Sequence, residues 1–587
     1  MSGRGPVTAG RALVLDGHSA AAVEALQSLG RAGVQVHVAA EREDCLAFVS
    51  RYPRQRLRQP PALDKEAFLR WLRELDAQWN YGLVVAATEN SLVALNALPE
   101  GSPLRAKTLL PAARDVETAL SKQATWELGE RLGVPTPRSR LIETLADAED
   151  PPEAYPLVLK PVRSVVADGN RLTRLSAVIV RDAVERQAAL ERLLPLSAVQ
   201  EQSYVVGRGL GVECLYSHGR MVWCFVHERL HELPLTGGGS SYRRSAPPIA
   251  AAIHAARRLL DELRWHGVAM VEFKRAADGK LCLMEINPRL WGSLALAIDA
   301  GVDFPLGMWR LAHGESPGPQ PVYRVPYYTR HLAMDVDWIK ENLRAPRSDP
   351  LLLTQPRLRS LIEYARPALF VESWDHFDIR DIGVVARQVR SVVRENLRAL
   401  KGRLSRALVL RELRRRHARL LRRLEAGKAR IRSVLFVCYG NICRSAFAEV
   451  YARRKLSGVE VTSAGFHEKE GRPSPEHLVR VARQLGVPMS DWRSRRLDDA
   501  MVERADLILV MDEANYRMLL RRYPGAAGRV TALGLFAGKP RFPLEDPYVL
   551  DDEATREVLL AIRDAVDGLE SRLGRFLSDG HQQRAAS

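Results

Sequence analysis

Cysteine is scarce in this sequence, with six residues among 587 and no regular spacing between them. This scarcity argues against a disulfide framework, and we expect free thiols in a reducing compartment. The first ten residues are small and polar and lack the apolar core of a secretory signal. No stretch approaches the ~20 apolar residues that a membrane-spanning helix needs. These absences predict a cytoplasmic protein.

Nearly all of the net positive charge lies in one segment, and the rest of the chain is close to neutral. Of the formal net charge of +17, residues 386–432 carry +14, from seventeen Lys and Arg against three Glu. Apolar residues recur through this segment at helical spacing, and Gly427 marks its expected end. The apolar positions are Val389, Val393, Leu397, Leu400, Leu404, Leu408, Leu413, Leu420 and Leu424.

Two interpretations of this basic segment remain open. It is a solvated helical linker or hairpin that packs its apolar stripe on a neighbouring domain, or it is a basic amphipathic surface for an anionic membrane or an acidic partner. Nucleic acid is disfavoured as a partner, because aromatic residues do not alternate with the basic ones and no base-reading module is evident.

Strands and helices alternate in the first part of the chain. Strands at 11–15 and 34–39 flank a helical stretch at 20–29, and a further strand follows at 83–87. The pattern predicts a small doubly wound, Rossmann-like domain over residues 1–117. It contains no GxGxxG, so dinucleotide binding is not supported.

Charged and amide side chains follow a defined order through residues 118–325. They are Lys122, Lys160, Gln200-Glu201, Glu213, Glu272 and Glu285-Ile-Asn287-Pro-Arg289. The strands of Glu272 and Glu285 are expected to pair as a hairpin, which brings two carboxylates and an amide into an oxygen-rich site suited to magnesium. Two lysines and an arginine near such a site would neutralise a triphosphate.

This order resembles the ATP-grasp superfamily, including its small N-terminal lead-in domain. The resemblance implies an α+β ATP-grasp fold with ATP and Mg²⁺ as cofactors. It implies ATP contacts from Lys122, Lys160, Glu201, Glu213 and Arg289, and magnesium ligands from Glu272, Glu285 and Asn287. Family members commonly join a carboxylate to an amine through an acyl phosphate, so the expected substrates are a carboxylate and an amine that the sequence does not identify.

Two segments of this domain need comment, and a third segment follows it. Residues 162–169 contain a single glycine, where the family's mobile loop is usually glycine-rich. Residues 236–244 read Thr-Gly-Gly-Gly-Ser-Ser-Tyr-Arg-Arg, which fits either a flexible surface loop or a lid whose Arg243 and Arg244 bind the acceptor. Residues 326–385 are expected to form a mostly helical extension, followed by the basic helical linker at 386–432.

Residues 438–445 read Cys-Tyr-Gly-Asn-Ile-Cys-Arg-Ser, between an apolar strand and a helical pattern that begins near Phe447. Backbone N–H groups that close onto a helix N-terminus favour an anion, and they favour the thiolate form of a cysteine placed there. The C-x5-R spacing puts the guanidinium of Arg444 over the sulfur of Cys438, where it can hold two phosphoryl oxygens. The pattern predicts a phosphate cup with a nucleophile at its base.

Further motifs follow the cup in residues 433–587. Ser463-Ala-Gly and Met511-Asp-x-x-Asn each follow a predicted strand, and Glu545-Asp546-Pro-Tyr supplies an aspartate that can protonate a leaving oxygen. Alternating strands and helices predict a small doubly wound parallel-sheet domain. Together the motifs resemble the low-molecular-weight protein tyrosine phosphatases over their whole length.

The resemblance implies hydrolysis through a cysteinyl-phosphate intermediate. Cys438 would attack phosphorus, Arg444 would hold the phosphoryl oxygens, and Asp546 would act first as acid and then as base. Asn441 and Ser463 would shape the loop, and Ser445 would hydrogen-bond the sulfur. The remaining positions of the phosphate loop are Tyr439, Gly440, Ile442 and Cys443. As the counterpart of the family's second cysteine, Cys443 would form a reversible disulfide with Cys438 on oxidation.

Arsenate reduction begins with the same cup but needs further thiols, and Cys443 is the last cysteine of the chain. We therefore disfavour that activity. Ala446 stands where the family usually has proline, and residues 466–470 lack the tryptophan that commonly walls the phosphotyrosine pocket. Phe466, Tyr439 and Tyr548 offer aromatic faces instead. The expected substrate is a phosphotyrosine protein or a small phosphomonoester.

The sequence thus predicts a multidomain α/β protein that joins an ATP-dependent carboxylate–amine ligase to a cysteine phosphatase. The alternative is a phosphatase regulated by an ATP-grasp module that binds a ligand or serves as a scaffold without catalysis.

Overall fold

The computed structural model describes residues 8–577, except residues 151, 153, 163–164, 169–170, 277, 364–365, 367–371 and 429. The chain divides into two compact units, Met1–Arg394 and Glu395–Ser587. The predicted multidomain α/β class is confirmed. Among the helices that the structure describes, none combines the length and apolarity needed to cross a bilayer.

The first unit begins with a four-stranded parallel sheet in the order β3-β2-β1-β4. Strands β1, β2 and β4 are short and largely apolar, and one face of them is buried against α1, whose N-cap Ser19 accepts a hydrogen bond from the backbone N–H of Ala22. The elements are β1 (Arg11–Val14), α1 (Ala20–Arg31), β2 (Gln35–Ala40), β3 (Pro53–Arg58), α2 (Lys65–Trp79), β4 (Leu83–Val85), α3 (Glu89–Asn96), α4 (Pro103–Ala106) and α5 (Ala113–Leu120).

A second, antiparallel sheet follows in the order β5-β10-β6-β9, with β7 and β8 as a separate hairpin. Of the segment 162–169 that departs from the family, Arg163, Ser164 and Gly169 lie outside the described residues, while β7 covers the rest after Val162. The elements are α6 (Lys122–Arg131), β5 (Ser139–Ile142), β6 (Leu157–Pro161), β7 (Val165–Asp168), β8 (Arg171–Arg174), β9 (Val178–Val180), α7 (Ala183–Leu193) and β10 (Val199–Ser203).

A seven-stranded sheet completes the first unit, in the order β15-β14-β11-β12-β13-β16-β17. Neighbouring strands are antiparallel except β16 and β17, which are parallel. The elements are β11 (Arg208–Ser217), β12 (Arg220–Leu233), β13 (Gly239–Ser245), α8 (Ala250–Glu262), β14 (Gly267–Arg275), β15 (Leu281–Asn287), α9 (Leu294–Ala300), α10 (Phe304–Ala312), β16 (Tyr328–Arg330), α11 (Leu332–Arg344), α12 (Arg357–Glu363) and β17 (Glu372–Trp374). Residues 326–385, expected to be mostly helical, thus also supply two strands to this sheet.

The arginines after the glycine run do not form a lid, which corrects that interpretation; only residues 236–238 of the segment lie outside a strand. From Gly239 onward the chain is strand β13, so alternate side chains face opposite sides of the sheet. Arg243 is 1% exposed and pairs with the equally buried Asp375. Arg244 pairs with Glu228 at 2.6 Å on the other side. Both guanidinium groups are therefore already engaged within the protein.

The basic segment forms one continuous helix, α13 (Ile382–Glu425), so the hairpin alternative is wrong. Gly427 follows its end with a φ of +66°, a conformation that suits glycine at a helix C-terminus. Only the C-terminal part of the predicted apolar stripe is packed: Leu413 and Leu424 are buried, whereas Leu397, Leu400, Leu404 and Leu408 are exposed. The expected packing of the whole stripe is corrected accordingly.

The second unit is built on a four-stranded parallel sheet in the order β19-β18-β20-β21. Helices cover both faces of the sheet, and two hydrophobic clusters fill the spaces between them. The elements are β18 (Ser433–Cys438), α14 (Arg444–Ala452), β19 (Glu460–Gly465), α15 (Glu476–Gln484), α16 (Asp499–Arg504), β20 (Leu507–Val510), α17 (Glu513–Arg522), β21 (Val530–Ala532) and α18 (Asp552–Leu577).

Breaking the buried Arg243–Asp375 pair should destabilise the first unit. Arg243→Met leaves the Asp375 carboxylate buried without its cation, so we expect the free energy of unfolding to fall by about 3–5 kcal/mol. Arg244→Met is the matched control, because Arg244 is 41% exposed and a surface ion pair contributes at most about 1 kcal/mol. Denaturant titration followed by tryptophan fluorescence measures both. Equal losses in the two variants would contradict this assignment.

Candidate active sites

The phosphate cup lies at the carboxyl edge of the parallel sheet in the second unit. Cys438 ends β18 and Arg444 begins α14, so the five residues between them turn from strand to helix. Gly465, at the end of the adjacent strand β19, allows this close approach, because a Cβ there would lie 2.7 Å from the carbonyl oxygen of Tyr439. The phosphate cup therefore requires a residue without a side chain at this position of β19.

Asn441 organises the cup through its backbone and its side chain. Its φ is +50°, in the left-handed region that asparagine tolerates better than most residues. Its backbone N–H donates to the Cys438 sulfur at 3.2 Å, which directs one dipole at the nucleophile. Its side-chain amide donates to the hydroxyls of Ser445 and Ser463 at 2.9 and 2.7 Å.

Ser445 lies 3.0 Å from the sulfur of Cys438. Because the Ser445 oxygen already accepts a hydrogen bond from the Asn441 amide, its own proton is available to the sulfur. Cys443 is also buried, and burial together with the negative charges of Asp546 and Cys438 raises the pKa of its thiol. The two cysteines of the loop thus occupy different environments.

Arg444 is buried and held by two carboxylates. Its terminal nitrogens donate to Asp512 at 2.5 Å and to Asp546 at 2.6 Å. Burial alone would lower the pKa of Arg444, but the charges of Cys438, Asp546 and Asp512 raise it, so the guanidinium stays charged. Its Nε is buried without a hydrogen-bond partner among the described residues. A phosphoryl oxygen would satisfy this donor.

Asp546 lies at the mouth of the cup, with its side chain 48% exposed. Its other carboxylate oxygen accepts a hydrogen bond from the backbone N–H of Tyr548. Tyr439 and Tyr548 are more than half exposed, whereas Phe466 packs against a hydrophobic cluster. Phe466 is thus committed to packing, and the exposed aromatic surface comes from the two tyrosines.

Three residues that support the cup were not predicted. Asp512 belongs to a motif noted in the sequence, but its ion pair with Arg444 required the fold. Trp492 donates its indole N–H to the carbonyl of Asn441 at 2.7 Å, and Arg472 donates to the carbonyl of Gly440 at 2.6 Å. No sequence signal identifies the latter two, because each acts from a loop distant in the chain.

A cavity of about 550 Å³ lies in the first unit, beside the β14–β15 hairpin. Five of the predicted ATP and magnesium residues line it: Lys160, Glu272, Glu285, Asn287 and Arg289. Glu272 and Glu285 are paired across the hairpin, as predicted. The Asn287 amide lies 3.2 and 3.0 Å from their carboxylates. Two carboxylates and an amide therefore converge on one wall of the cavity.

Three predicted ATP residues do not line this cavity. Glu201 pairs with Leu159 across the strands, on the face opposite Lys160, and its carboxylate binds Arg140 and Arg186. Its neighbours Gln202, Ser203 and Tyr204 line the cavity instead. Because strand side chains alternate between the two faces, the Glu201 side chain points away from the cavity, and the expectation that Glu201 lies beside the adenine and ribose of ATP stays a prediction.

Glu213 is fully buried behind Ser293, whose hydroxyl donates to its carboxylate at 3.0 Å. Burial raises the pKa of Glu213 well above its ordinary value. Ser293 itself lines the cavity and Glu213 does not, so the predicted role of Glu213 in ATP binding stays a prediction. Lys122, the first residue of α6, is not among the lining residues, although its charge reaches Lys160.

Two further cations line the cavity and were missed. Arg229 pairs with Glu272 and donates to the carbonyl of Gly238 at 2.9 Å. Lys274 donates to the carbonyl of Val205 at 3.0 Å. With Lys160 and Arg289 they give four cations against the carboxylates of Glu232, Glu272 and Glu285 among the lining residues. The cavity therefore favours an anionic ligand.

Comparison with known proteins finds a family match in each unit. Residues 433–578 match the family described as low molecular weight phosphotyrosine protein phosphatase, and residues 202–335 match that described as ATP-grasp in the biosynthetic pathway with Ter operon. The two resemblances predicted from motifs are thereby confirmed.

Individual proteins are similar to parts of this chain in sequence or in fold. A probable low molecular weight protein-tyrosine-phosphatase EpsP of Ralstonia solanacearum is 38% identical over 143 residues, 24% of this chain and 97% of that protein. A protein-arginine-phosphatase of Geobacillus stearothermophilus is 32% identical over 145 residues, 24% and 95% of the two chains. The crystal structure of N5-carboxyaminoimidazole synthetase from Staphylococcus aureus aligns with a TM-score of 0.45 at 16% identity, over 57% of this chain and 86% of that chain.

The charge on Lys160 should make nucleotide affinity depend on pH. Burial, opposed by Glu285 and reinforced by Lys122 and Lys274, lowers the pKa of Lys160 to about 8. Its cation is present below that pH and is lost as pH rises through it. We therefore expect ADP affinity, measured calorimetrically without added magnesium, to fall by up to about tenfold per pH unit above this value. Lys160→Arg stays charged and should lose this dependence; the same slope in both proteins would contradict the assignment.

Proposed function

The chain belongs to the low molecular weight phosphotyrosine protein phosphatase family through residues 433–578, and we propose that this domain hydrolyses phosphotyrosine in proteins through a cysteinyl-phosphate intermediate. The observation that carries the proposal is the cup itself. A buried cysteine, a buried arginine whose Nε has no partner among the residues that the structure describes, and a half-exposed aspartate that contacts that arginine meet at one opening.

The reaction follows from these positions. The Cys438 thiolate attacks phosphorus in line with the ester bond while Arg444 and the loop N–H groups hold the equatorial oxygens. As the P–O bond breaks, Asp546 gives its proton to the leaving oxygen. Asp546 then removes a proton from water, which attacks phosphorus and breaks the S–P bond. The thiolate and the protonated Asp546 are regenerated, and inorganic phosphate leaves.

Phosphotyrosine is the substrate that the mouth of the cup fits best. The exposed rings of Tyr439 and Tyr548 flank the loop and the Asp546 segment, where they can contact a flat aromatic leaving group. Relatives include phosphatases named for tyrosine and one named for arginine. A small phosphomonoester would use the same chemistry without the aromatic contacts, so comparison of phosphotyrosyl and alkyl phosphate turnover distinguishes them.

The first unit carries an ATP-grasp domain, and we propose that it is an ATP- and magnesium-dependent carboxylate–amine ligase. Its cavity fits this role, because hard oxygen donors on the hairpin suit magnesium and four surrounding cations suit polyphosphate. Glu272, Glu285 and Asn287 would hold the metal ion. When bound, magnesium and ATP supply a transferable phosphoryl group; Lys160 and Arg289 would orient its anionic oxygens. We propose that both activities occur in the cytoplasm.

Replacement of Cys438 tests the phosphatase assignment. Cys438→Ser removes the nucleophile, so p-nitrophenyl phosphate turnover should fall by at least about a thousandfold. Cys443→Ser is the matched control, because Cys443 lies in the same loop but has no role in the steps above, and it should keep most of the activity. Retained turnover in Cys438→Ser would contradict the proposal, as would equal loss in both variants.

ADP release tests whether the first unit is a ligase or a non-catalytic regulator of the phosphatase. We expect ADP release from ATP that requires both a carboxylate and an amine from a substrate panel, and its loss in Glu285→Ala. Cys438→Ser should release ADP at the normal rate, since its change lies in the other unit. ATP-dependent changes in phosphatase rate without ADP release for any pair would favour the regulatory alternative.

A further inference from the structure

The part of helix α13 that belongs to the second unit has two apolar faces, one buried and one exposed. One face is docked: Val409, Leu413 and Leu424 are buried in the hydrophobic clusters of the phosphatase domain. Beside this face, the Ser405 hydroxyl donates to Glu513 of α17 at 2.5 Å. These contacts fix which side of the helix faces its own domain.

Four leucines lie on the opposite side. Leu397, Leu400, Leu404 and Leu408 have exposed fractions of 50%, 51%, 57% and 66%. At about 100° of rotation per residue they form a strip roughly 80° wide and ~17 Å long, turned about 180° from the docked residues. Because the docked face is fixed, rotation of the helix cannot bury this strip against the phosphatase domain. An exposed strip of four leucines calls for a binding partner.

Cations flank this leucine strip and carboxylates are missing from it. Between Asn396 and Arg411 the sequence holds five Lys and Arg and no Asp or Glu. By helical geometry, Arg398 and Lys401 lie on one side of the strip, Arg403 lies on the other, and Arg411 continues it beyond Leu408. All four are exposed. Their long alkyl stems can lie along an apolar surface while the charged ends reach outward.

We propose that the leucine strip and its flanking cations bind the surface of an anionic lipid bilayer. A bilayer interface offers acyl chains to a straight apolar strip, and it offers lipid phosphates on both sides of that strip at once. A second copy of this helix would bring two sets of five cations together, which opposes self-association. Binding would hold the phosphatase domain at the membrane, where it meets membrane-attached substrates. This proposal does not depend on the identity of either reaction.

Vesicle co-sedimentation of the full chain tests the proposal. Wild-type protein should bind phosphatidylcholine vesicles that contain phosphatidylserine, should bind pure phosphatidylcholine vesicles much less, and should dissociate as salt is raised. Changing all four strip leucines to Gln keeps helix propensity and should weaken binding at least about tenfold. Unchanged circular dichroism and p-nitrophenyl phosphate turnover would verify that the variant is folded.

Charge variants provide a second, independent arm. Arg398→Gln, Lys401→Gln and Arg403→Gln together should weaken binding to the anionic vesicles. The matched control changes Arg483, Arg504 and Arg521 to Gln, which removes the same charge from exposed positions of the same unit, and should bind like wild type. Any of four results would overturn the proposal: no binding to anionic vesicles, undiminished binding by the leucine variant, leucine-dependent dimerisation without lipid, or leucine-dependent binding to soluble polyglutamate in place of vesicles.

Discussion

One residue in a left-handed conformation holds the phosphatase site together. With φ at +50°, Asn441 turns its backbone N–H toward the Cys438 sulfur, while its side chain joins Ser445 to Ser463. The strain is tolerated because the surrounding hydrogen bonds over-determine the conformation. The indole N–H of Trp492 donates to the backbone carbonyl of Asn441, and the backbone N–H of Arg495 donates to the Asn441 side-chain oxygen. The cup is therefore organised before phosphate arrives, so little reorganisation is left for binding.

Features encoded within a short stretch of sequence could be predicted. The C-x5-R cup, the helix that ends before Gly427 and the Glu272–Glu285 hairpin each depend on spacing and local conformation, and the structure contains all three. Parallel strands also carry information, because their carboxyl ends meet at one sheet edge. Because β18 and β20 are parallel, this rule predicts that the cup after β18 and Asp512 after β20 lie at the same edge of the sheet.

Features that depend on which face of a strand or helix packs against the rest of the protein could not be predicted. Glu201 and Arg243 fit the expected chemistry, but each faces a buried ion-pair partner supplied by another part of the chain. Likewise, helical spacing places Leu404 and Leu413 on opposite faces of α13, but only the folded chain shows that the face of Leu413 is the buried one. Trp492 carries no motif, so only the folded chain identifies its bond to Asn441.

During turnover, the sulfur of Cys438 is expected to carry a covalent phosphoryl group. The most direct measurement is mass spectrometry of the full chain after rapid acid quench during turnover of a phosphotyrosyl peptide. A phosphoryl adduct on the peptide that contains Cys438, formed and discharged at the rate of turnover, is the predicted result. Turnover without an adduct, or an adduct at another residue, would contradict the account.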